Sequence, residues 1–235
     1  MNLSELLTIV IPCKNEGPII KRTLKYLNSQ HGLSNVNVII ADSSDDNGQT
    51  SMAIQMEVGI SIKISVIPGG LPAVARNLGA DSAATKYVLF LDADIYLRDP
   101  YLLLNIVNQM ELDSAELGTC KIRTDDSYSL AYMFFDVFRW LISHKTPFAV
   151  GGFMLFNREA FNRIGRFNEE DLIAEDYHIS KKIQPSRFRV YPEVVYTTPR
   201  RFQKKGLFYM VKIMLDCWFN RDNEEFYKRD YKYFQ

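Results

Sequence analysis

Tyr87–Leu91 is an unbroken apolar run, YVLFL, that stops abruptly at Asp92-Ala93-Asp94. A strand without polar alternation is buried on both faces, the condition of a central strand in a parallel sheet covered by helices. Two acids at its carboxyl end are costly unless positive charge neutralises them. A hard divalent cation suits them, because Mg2+-like ions take oxygen ligands and often bind one or two carboxylates plus substrate phosphates. In open α/β sheets the ligand crevice lies beyond the carboxyl ends of the strands, so the odd residues and the expected site coincide. The plainer alternative is a solvated loop that caps the next helix.

Residues 7–12, 36–41 and 62–67 are further apolar runs, each followed by turn chemistry and a helical pattern. Asn15-Glu16-Gly17-Pro18 opens a helix to about Gln30, and the polar cluster from Asp42 to Gly48 reads as a turn and helix start. Pro68-Gly69-Gly70 precedes a helix over 72–84. Four strand–helix alternations, with connections too long for hairpins, predict βαβ units and an α/β fold. Beyond residue 98 the pattern predicts helices over 99–112, 127–143 and 158–164, a helix starting at Glu175-Asp176 within 172–183, and strands over 117–123, within 147–156 and over 190–196. An amphipathic helix over 206–219 and an aromatic, charged tail follow. The expected layout is a catalytic unit over 1–202, in halves 1–98 and 99–202, with an appended tail over 203–235.

With 235 residues the chain suits one domain plus such a tail. Lys+Arg and Asp+Glu balance at 28 each, so net charge gives no ground for nucleic-acid binding. Cys13, Cys120 and Cys217 form neither a zinc pattern nor a disulfide framework, which fits a reducing, cytoplasmic setting. Residues 1–7 lack a basic segment and a small-residue cleavage site, so no secretory leader is expected. Lys212 and Asp216 interrupt the late apolar stretch, which is too short and too charged to span a bilayer.

Several motifs follow in order, each at a strand end or a helix start. They are Val10-Ile11-Pro12 with Asn15-Glu16, Asp42-Ser43-Ser44, Ala75-Arg76-Asn77 with Gly79, Asp92 with Asp94, Gly151-Gly152, and Glu175-Asp176. With this ordered set the chain resembles the family 2 glycosyltransferases of GT-A fold over residues 7–202. The resemblance implies a Rossmann-like, mostly parallel sheet flanked by helices. It also implies an inverting transfer of one sugar from a nucleoside-diphosphate sugar, UDP-linked first and GDP-mannose next, assisted by Mn2+ or Mg2+. The acceptor would be a hydroxyl of a glycan or a lipid-linked sugar.

By the same resemblance Pro12, Asn15, Glu16 and Asp42 would hold base and ribose, and Arg76 a phosphate or ribose. Asp94 would ligate the metal directly, and Asp92 would contact ribose or metal-bound water. Asp176 would be the base that deprotonates the acceptor, with Glu175 orienting it or binding acceptor. Gly151 and Gly152 would line the acceptor side, and Arg200-Arg201 would close over the diphosphate or face solvent. Asp42 could instead cap a helix, and Glu175-Asp176 could simply be an acidic first turn. Arg76 could be a surface arginine, Pro12 could simply stop a strand, Gly151-Gly152 could be a plain turn, and Asn77 and Gly79 could serve only packing. His178 has base chemistry but matches no family position, and a place at the surface or behind the site is expected. The cluster Asp42-Ser-Ser-Asp-Asp-Asn departs from the commoner pair of aspartates followed by glycine, which leaves the nucleotide open.

Two enzymatic readings and one binding reading compete. A nucleotidyltransferase would want a Gly-rich basic loop after the first strand, where this chain has Asn15-Glu16 and only Lys14. A non-catalytic nucleotide-sugar-binding domain would not need Asp92, Asp94 and Asp176 together. For the helix over 206–219, docking at a membrane interface and packing on the catalytic domain are both open. The aromatic end suits an acceptor platform or a homodimer contact.

Overall fold

The computed structural model of the chain describes residues 2–57, 61–126 and 128–229, and the side chain of Arg201 is outside that description. The first half runs α1 (Leu3–Leu6), β1 (Leu7–Cys13), α2 (Gly17–Asn28), β2 (Asn37–Asp42), α3 (Gln49–Gln55), β3 (Lys63–Pro68), α4 (Pro72–Asp81) and β4 (Tyr87–Leu91). The second half adds α5 (Leu102–Asp113), β5 (Leu117–Arg123), α6 (Ser129–Ser143), β6 (Phe153–Asn157), α7 (Arg158–Arg163), α8 (Glu175–Ser180) and β7 (Phe188–Tyr196). Helices α9 (Arg200–Lys205), α10 (Leu207–Phe219) and α11 (Glu224–Tyr227) follow. Every strand expected from the sequence forms. The helix expected over 127–143 begins at Ser129, Ser127 lying outside the described residues, and the one expected within 172–183 is α8.

The strands make one sheet in the order β3-β2-β1-β4-β6-β5-β7. All run parallel except β6, which opposes both β4 and β5. The central strands are apolar throughout because each face meets a different core. Ile9, Ile11, Leu89 and Leu91 join the cluster that includes Leu24, Leu27 and Leu103 from α2 and α5. Val10, Val88 and Phe90 point to the other side, among Ala73, Ala80, Phe161 and Ile179 from α4, α7 and α8. Gly79 lets α4 lie close on the sheet, since a Cβ there would stand 2.2 Å from Val10 Cγ1. Asn77, beside it, donates Nδ2 to Phe167 O and Glu169 Oε1 and accepts from Phe167 N, so both residues serve packing.

Two features bring the far end of the chain back to the sheet's centre. The register of β7 on β5 slips between Thr119 and Lys121, where β7 carries Pro192, a residue that cannot donate to a ladder. Past that slip Tyr196 pairs with Tyr96 through two backbone hydrogen bonds, Tyr96 N to Tyr196 O at 2.8 Å and the reverse at 3.0 Å. Residues 197–200 are thereby delivered beside the turn that follows β4. At the opposite edge β3 pairs with β2 alone and is largely exposed.

Candidate active site

From β1 the chain moves outward to β2 and β3, then returns to the other side of β1 as β4. The crevice between the carboxyl ends of β1 and β4 is therefore a topological switch point, where open α/β sheets bind ligands. Asn15 and Glu16 follow β1, and Asp92 and Asp94 follow β4. Pro12 sits two residues beyond the last β1–β4 pair, Val10 with Phe90, where the β4 ladder has already ended.

Arg76 is the hub of one half of the site. It rises from α4 and is 2 % exposed. Its Nη2 donates to Asp92 Oδ1 at 2.8 Å and its Nη1 to Glu175 Oε1 at 2.5 Å, while the guanidinium lies 5.4 Å from the Phe167 ring centre. Its Nε is buried without a partner among the described residues. Burial opposes the charge, but Asp92 and Glu175 more than offset that, so Arg76 is held cationic. The side chain expected at a phosphate or ribose is thus a strut that ties the tip of β4 to the start of α8.

Asp176 stands on the same hub. The chain enters α8 through Ala174, whose φ of 51° turns the backbone sharply. Asp176 Oδ2 accepts from Gly151 N at 2.7 Å and Oδ1 from Tyr177 N at 2.7 Å. Burial and the adjacent Glu175 carboxylate push its pKa up to about 6. A Cβ at Gly151 would stand 3.1 Å from Asp176 Oδ2 and 3.3 Å from Arg76 Nη2, so the missing side chain makes room for this pair. At Gly152 the corresponding space is filled by Ile95 and Ile122, and Gly152 O accepts from Asp92 N at 3.2 Å. Both glycines are buried, and they link the tip of β4 to α8.

The other half is built around Arg200. Its Nη2 contacts Glu16 Oε2 at 2.9 Å and Asp94 Oδ2 at 3.3 Å, and its Nε donates to Thr198 Oγ1 at 3.1 Å. Thr198 Oγ1 in turn donates to Asp94 Oδ2 at 3.2 Å. Burial, with added repulsion from Asp94 and Asp92, raises the Glu16 pKa despite the Arg200 contact. The expected partner of Arg200, Arg201, lies in the first turn of α9, but its side chain is outside the described residues.

Asp42 ends β2, and its Oδ1 accepts from Ser44 N at 3.0 Å and Ser44 Oγ at 2.5 Å, a local turn rather than a helix cap. The N-cap position of α3 is Gly48, which has no side-chain cap bond, while Asp46 just before it accepts from Thr50 N at 3.0 Å. Asn15, at φ 56°, is locked to this loop by Ser44 Oγ at 2.8 Å and by reciprocal bonds with Asp45. The loops after β1 and β2 are therefore one unit.

Among the described residues no group of three or more His, Cys, Asp or Glu gathers to hold a metal. Asp92 and Asp94 are about a quarter exposed, with side chains at 26 % and 24 %. Asp92 Oδ2 and Asp94 Oδ1 have no hydrogen-bond partner among the described residues. Two free carboxylate oxygens fit a hard ion whose remaining ligands come from a phosphorylated substrate.

Sequence reasoning missed Thr198, two residues before Arg200, and read Ser44 only as part of the Asp42 motif without a role. His178 lies outside the site and is no surface residue. It is 2 % exposed, with Nδ1 2.6 Å from Asp171 Oδ2, Nε2 3.0 Å from Glu224 Oε2, and its ring stacked 4.1 Å from Tyr227.

Residues 8–165 match the family model described as Glycosyl transferase family 2. The chain is 29 % identical over 118 residues to the uncharacterized glycosyltransferase YibD of Escherichia coli K12, an alignment covering 49 % of this chain and 34 % of that protein. Its fold is similar to that of the mannosyltransferase PcManGT from Pyrobaculum calidifontis, solved with GDP-Man and Mn2+. That match has a TM-score of 0.67 and 22 % identity and covers 88 % of this chain and 64 % of that one. S. aureus TarS 1–349 with UDP-GlcNAc gives a TM-score of 0.62 at 19 % identity, covering 82 % and 58 %. The chain thus spans about a third of the length of the curated relative and less than two thirds of either structure.

Proposed function

The chain belongs to glycosyl transferase family 2, and from that premise we propose that it moves one sugar from a nucleoside-diphosphate sugar to a hydroxyl of a glycan or lipid-linked acceptor, with inversion at the anomeric carbon. The observation that carries this reading is the Arg76 strut, which holds Asp92, at the tip of β4, and Glu175, beside Asp176, around one buried guanidinium. Donor and base are thereby kept in fixed relation. Asp176 takes the proton from the acceptor hydroxyl, and its raised pKa of about 6 suits a base that works near neutral pH. An inverting transfer needs this carboxylate on the face opposite the leaving group. The loop unit of Pro12, Asn15, Glu16 and Asp42 holds base and ribose, and the acceptor comes to the side of the site that carries Asp176 and the Gly151-Gly152 turn.

Asp94, with Asp92 beside it, would hold Mn2+ or Mg2+ together with the donor's phosphates, and the ion would offset charge on the departing diphosphate. Support comes from the free oxygens on both side chains and from the Mn2+ in the complex of the similar mannosyltransferase. The two donors named in the similar structures, GDP-Man and UDP-GlcNAc, are the first to test.

The test is a panel of nucleotide sugars assayed for donor hydrolysis and transfer, with Mn2+ and with chelator. Metal-dependent turnover of one donor is expected. Retained nucleotide binding with no turnover of any donor would instead mark a binding module. Asp94→Ala is expected to abolish the metal-dependent part of nucleotide binding in calorimetric titrations with nucleoside diphosphate and Mn2+. An unchanged titration would remove Asp94 from the metal site.

A further inference from the structure

Helix α6 is built inside out. Its charged pair faces the protein, where the buried Arg139 donates Nη1 to Cys120 O at 3.1 Å and Nη2 to Asp136 Oδ1 at 2.6 Å. Its apolar stripe faces solvent: Leu130, Met133, Phe134, Val137, Trp140 and Leu141 are each at least half exposed. These positions recur at three- and four-residue intervals and cover one continuous face. A soluble helix normally presents the reverse arrangement.

The face continues onto α10. Phe138 meets Trp218 edge to face at 6.1 Å, joining the two helices, and α10 exposes Phe208 at 91 % and Phe219 at 75 %. A contiguous apolar surface of this kind marks an interaction site rather than scatter. What covers it is indicated by charge. The whole chain is neutral, yet, leaving aside Arg200, which faces the site, residues 201–219 hold four Lys and Arg against the single acid Asp216. Lys204 is exposed beside α10, and Lys145 lies exposed at the end of α6.

We infer that the joined face of α6 and α10 docks on the interface of an anionic lipid bilayer. Trp, Phe and Leu on one face with Lys and Arg at its margin is the composition of helices that lie in the headgroup region. At 15 residues α6 is about 22 Å long, and no described helix is long and apolar enough to cross a membrane. The chain therefore lies on the bilayer. A second copy fits less well, because a two-fold contact sets each patch against itself and would bring the two basic segments together. The docking face shares elements with the site. Tyr128 at the N-cap of α6 and Tyr132 and Phe135 within it pack around Phe202, two residues from Arg200, and Ile213 and Cys217 of α10 pack on Tyr177, next to Asp176. The inference does not depend on which donor or acceptor the site takes.

The experiment is flotation of the purified chain with vesicles of phosphatidylcholine alone and with phosphatidylglycerol added, alongside light scattering without lipid. Binding to the anionic vesicles, weakened by salt, is expected. Phe134→Ser with Val137→Ser should lower partitioning about tenfold or more, and Lys204→Gln about fivefold, with the unfolding midpoint unchanged. Phe208→Ser is a further variant at a nearly fully exposed position, should the double variant fold poorly. Absence of vesicle binding, or binding that these variants leave intact, would overturn the inference. So would a dimer in solution that Phe134→Ser with Val137→Ser dissociates, which would assign the face to a second copy.

Discussion

Two charged side chains make opposite demands on the site. Arg76 has Asp92 and Glu175 as its partners in a nearly solvent-free position. Removing one member of a buried ion cluster leaves uncompensated charge, typically about 3–5 kcal/mol. Arg76→Ala is therefore expected to lose about that much stability in urea unfolding, and a loss under about 1 kcal/mol would show that water reaches the carboxylates. Asp176 carries strain of another kind. Burial raises its pKa from 3.8 to about 6, so ionising it destabilises the folded state. As a base it works only when deprotonated. The proposed kcat/KM should fall with pH below about 6 and level off above it. Asp176→Asn should slow transfer by about 100-fold or more with donor affinity nearly unchanged. Linkage sets the sign of its stability effect. The amide cannot accept from both Gly151 N and Tyr177 N, so the variant loses one bond at every pH. Its stability relative to the unaltered chain should still rise as pH climbs from 3.8 to about 6 and level off above. A pH–rate profile and thermal melts across that range check both expectations, and an unshifted acid limb would move the base elsewhere.

Helix α8 is only six residues long and would not persist alone. Its orientation is imposed from behind. Leu172 N donates to Tyr227 O at 2.8 Å, Phe226 and Tyr227 are buried with Ile173 and Tyr177, and His178 is held between Asp171 and Glu224. The tail thus supports the element that carries Asp176. Phe226→Ala should cost about 3–5 kcal/mol, and the proposed turnover should fall with it although residue 226 touches no reacting group. Unfolding curves with parallel kcat measurements test this, and full activity at reduced stability would uncouple the tail from the site. Strand elements were legible because β1, β2 and β4 are apolar runs of strand length. Helix α8 was legible by its acidic start, but it ends at Ser180, before Lys181-Lys182-Ile183.

Taken whole, the molecule brings the loops after β1, β2, β4 and β7 to one edge of a seven-stranded sheet. A donor bound there would contact the first half through Glu16 and the end of the chain through Arg200. Ligand binding of that kind stabilises the entire fold by mass action, about 2.7 kcal/mol at a hundred times Kd. The cognate nucleoside diphosphate with Mn2+ should accordingly raise the thermal midpoint by several degrees in one cooperative transition. A two-step melt in which only the first half is stabilised would show that Arg200 does not close on the ligand.

Local pattern carried much of this protein. Apolar runs bounded by turns determine strands, and a strand buried on both faces requires helices on each side, so the α/β class and the acids at the strand tips were readable from the chain alone. Only tertiary structure decided which charges meet. Arg76 finds Glu175 across 99 residues, and Arg200 finds Asp94 across 106 because Tyr196 pairs with Tyr96. It also decided that the apolar stripe of α6 faces outward. Periodicity reveals that a helix has a dry face, but what that face meets depends on which partners the rest of the fold supplies.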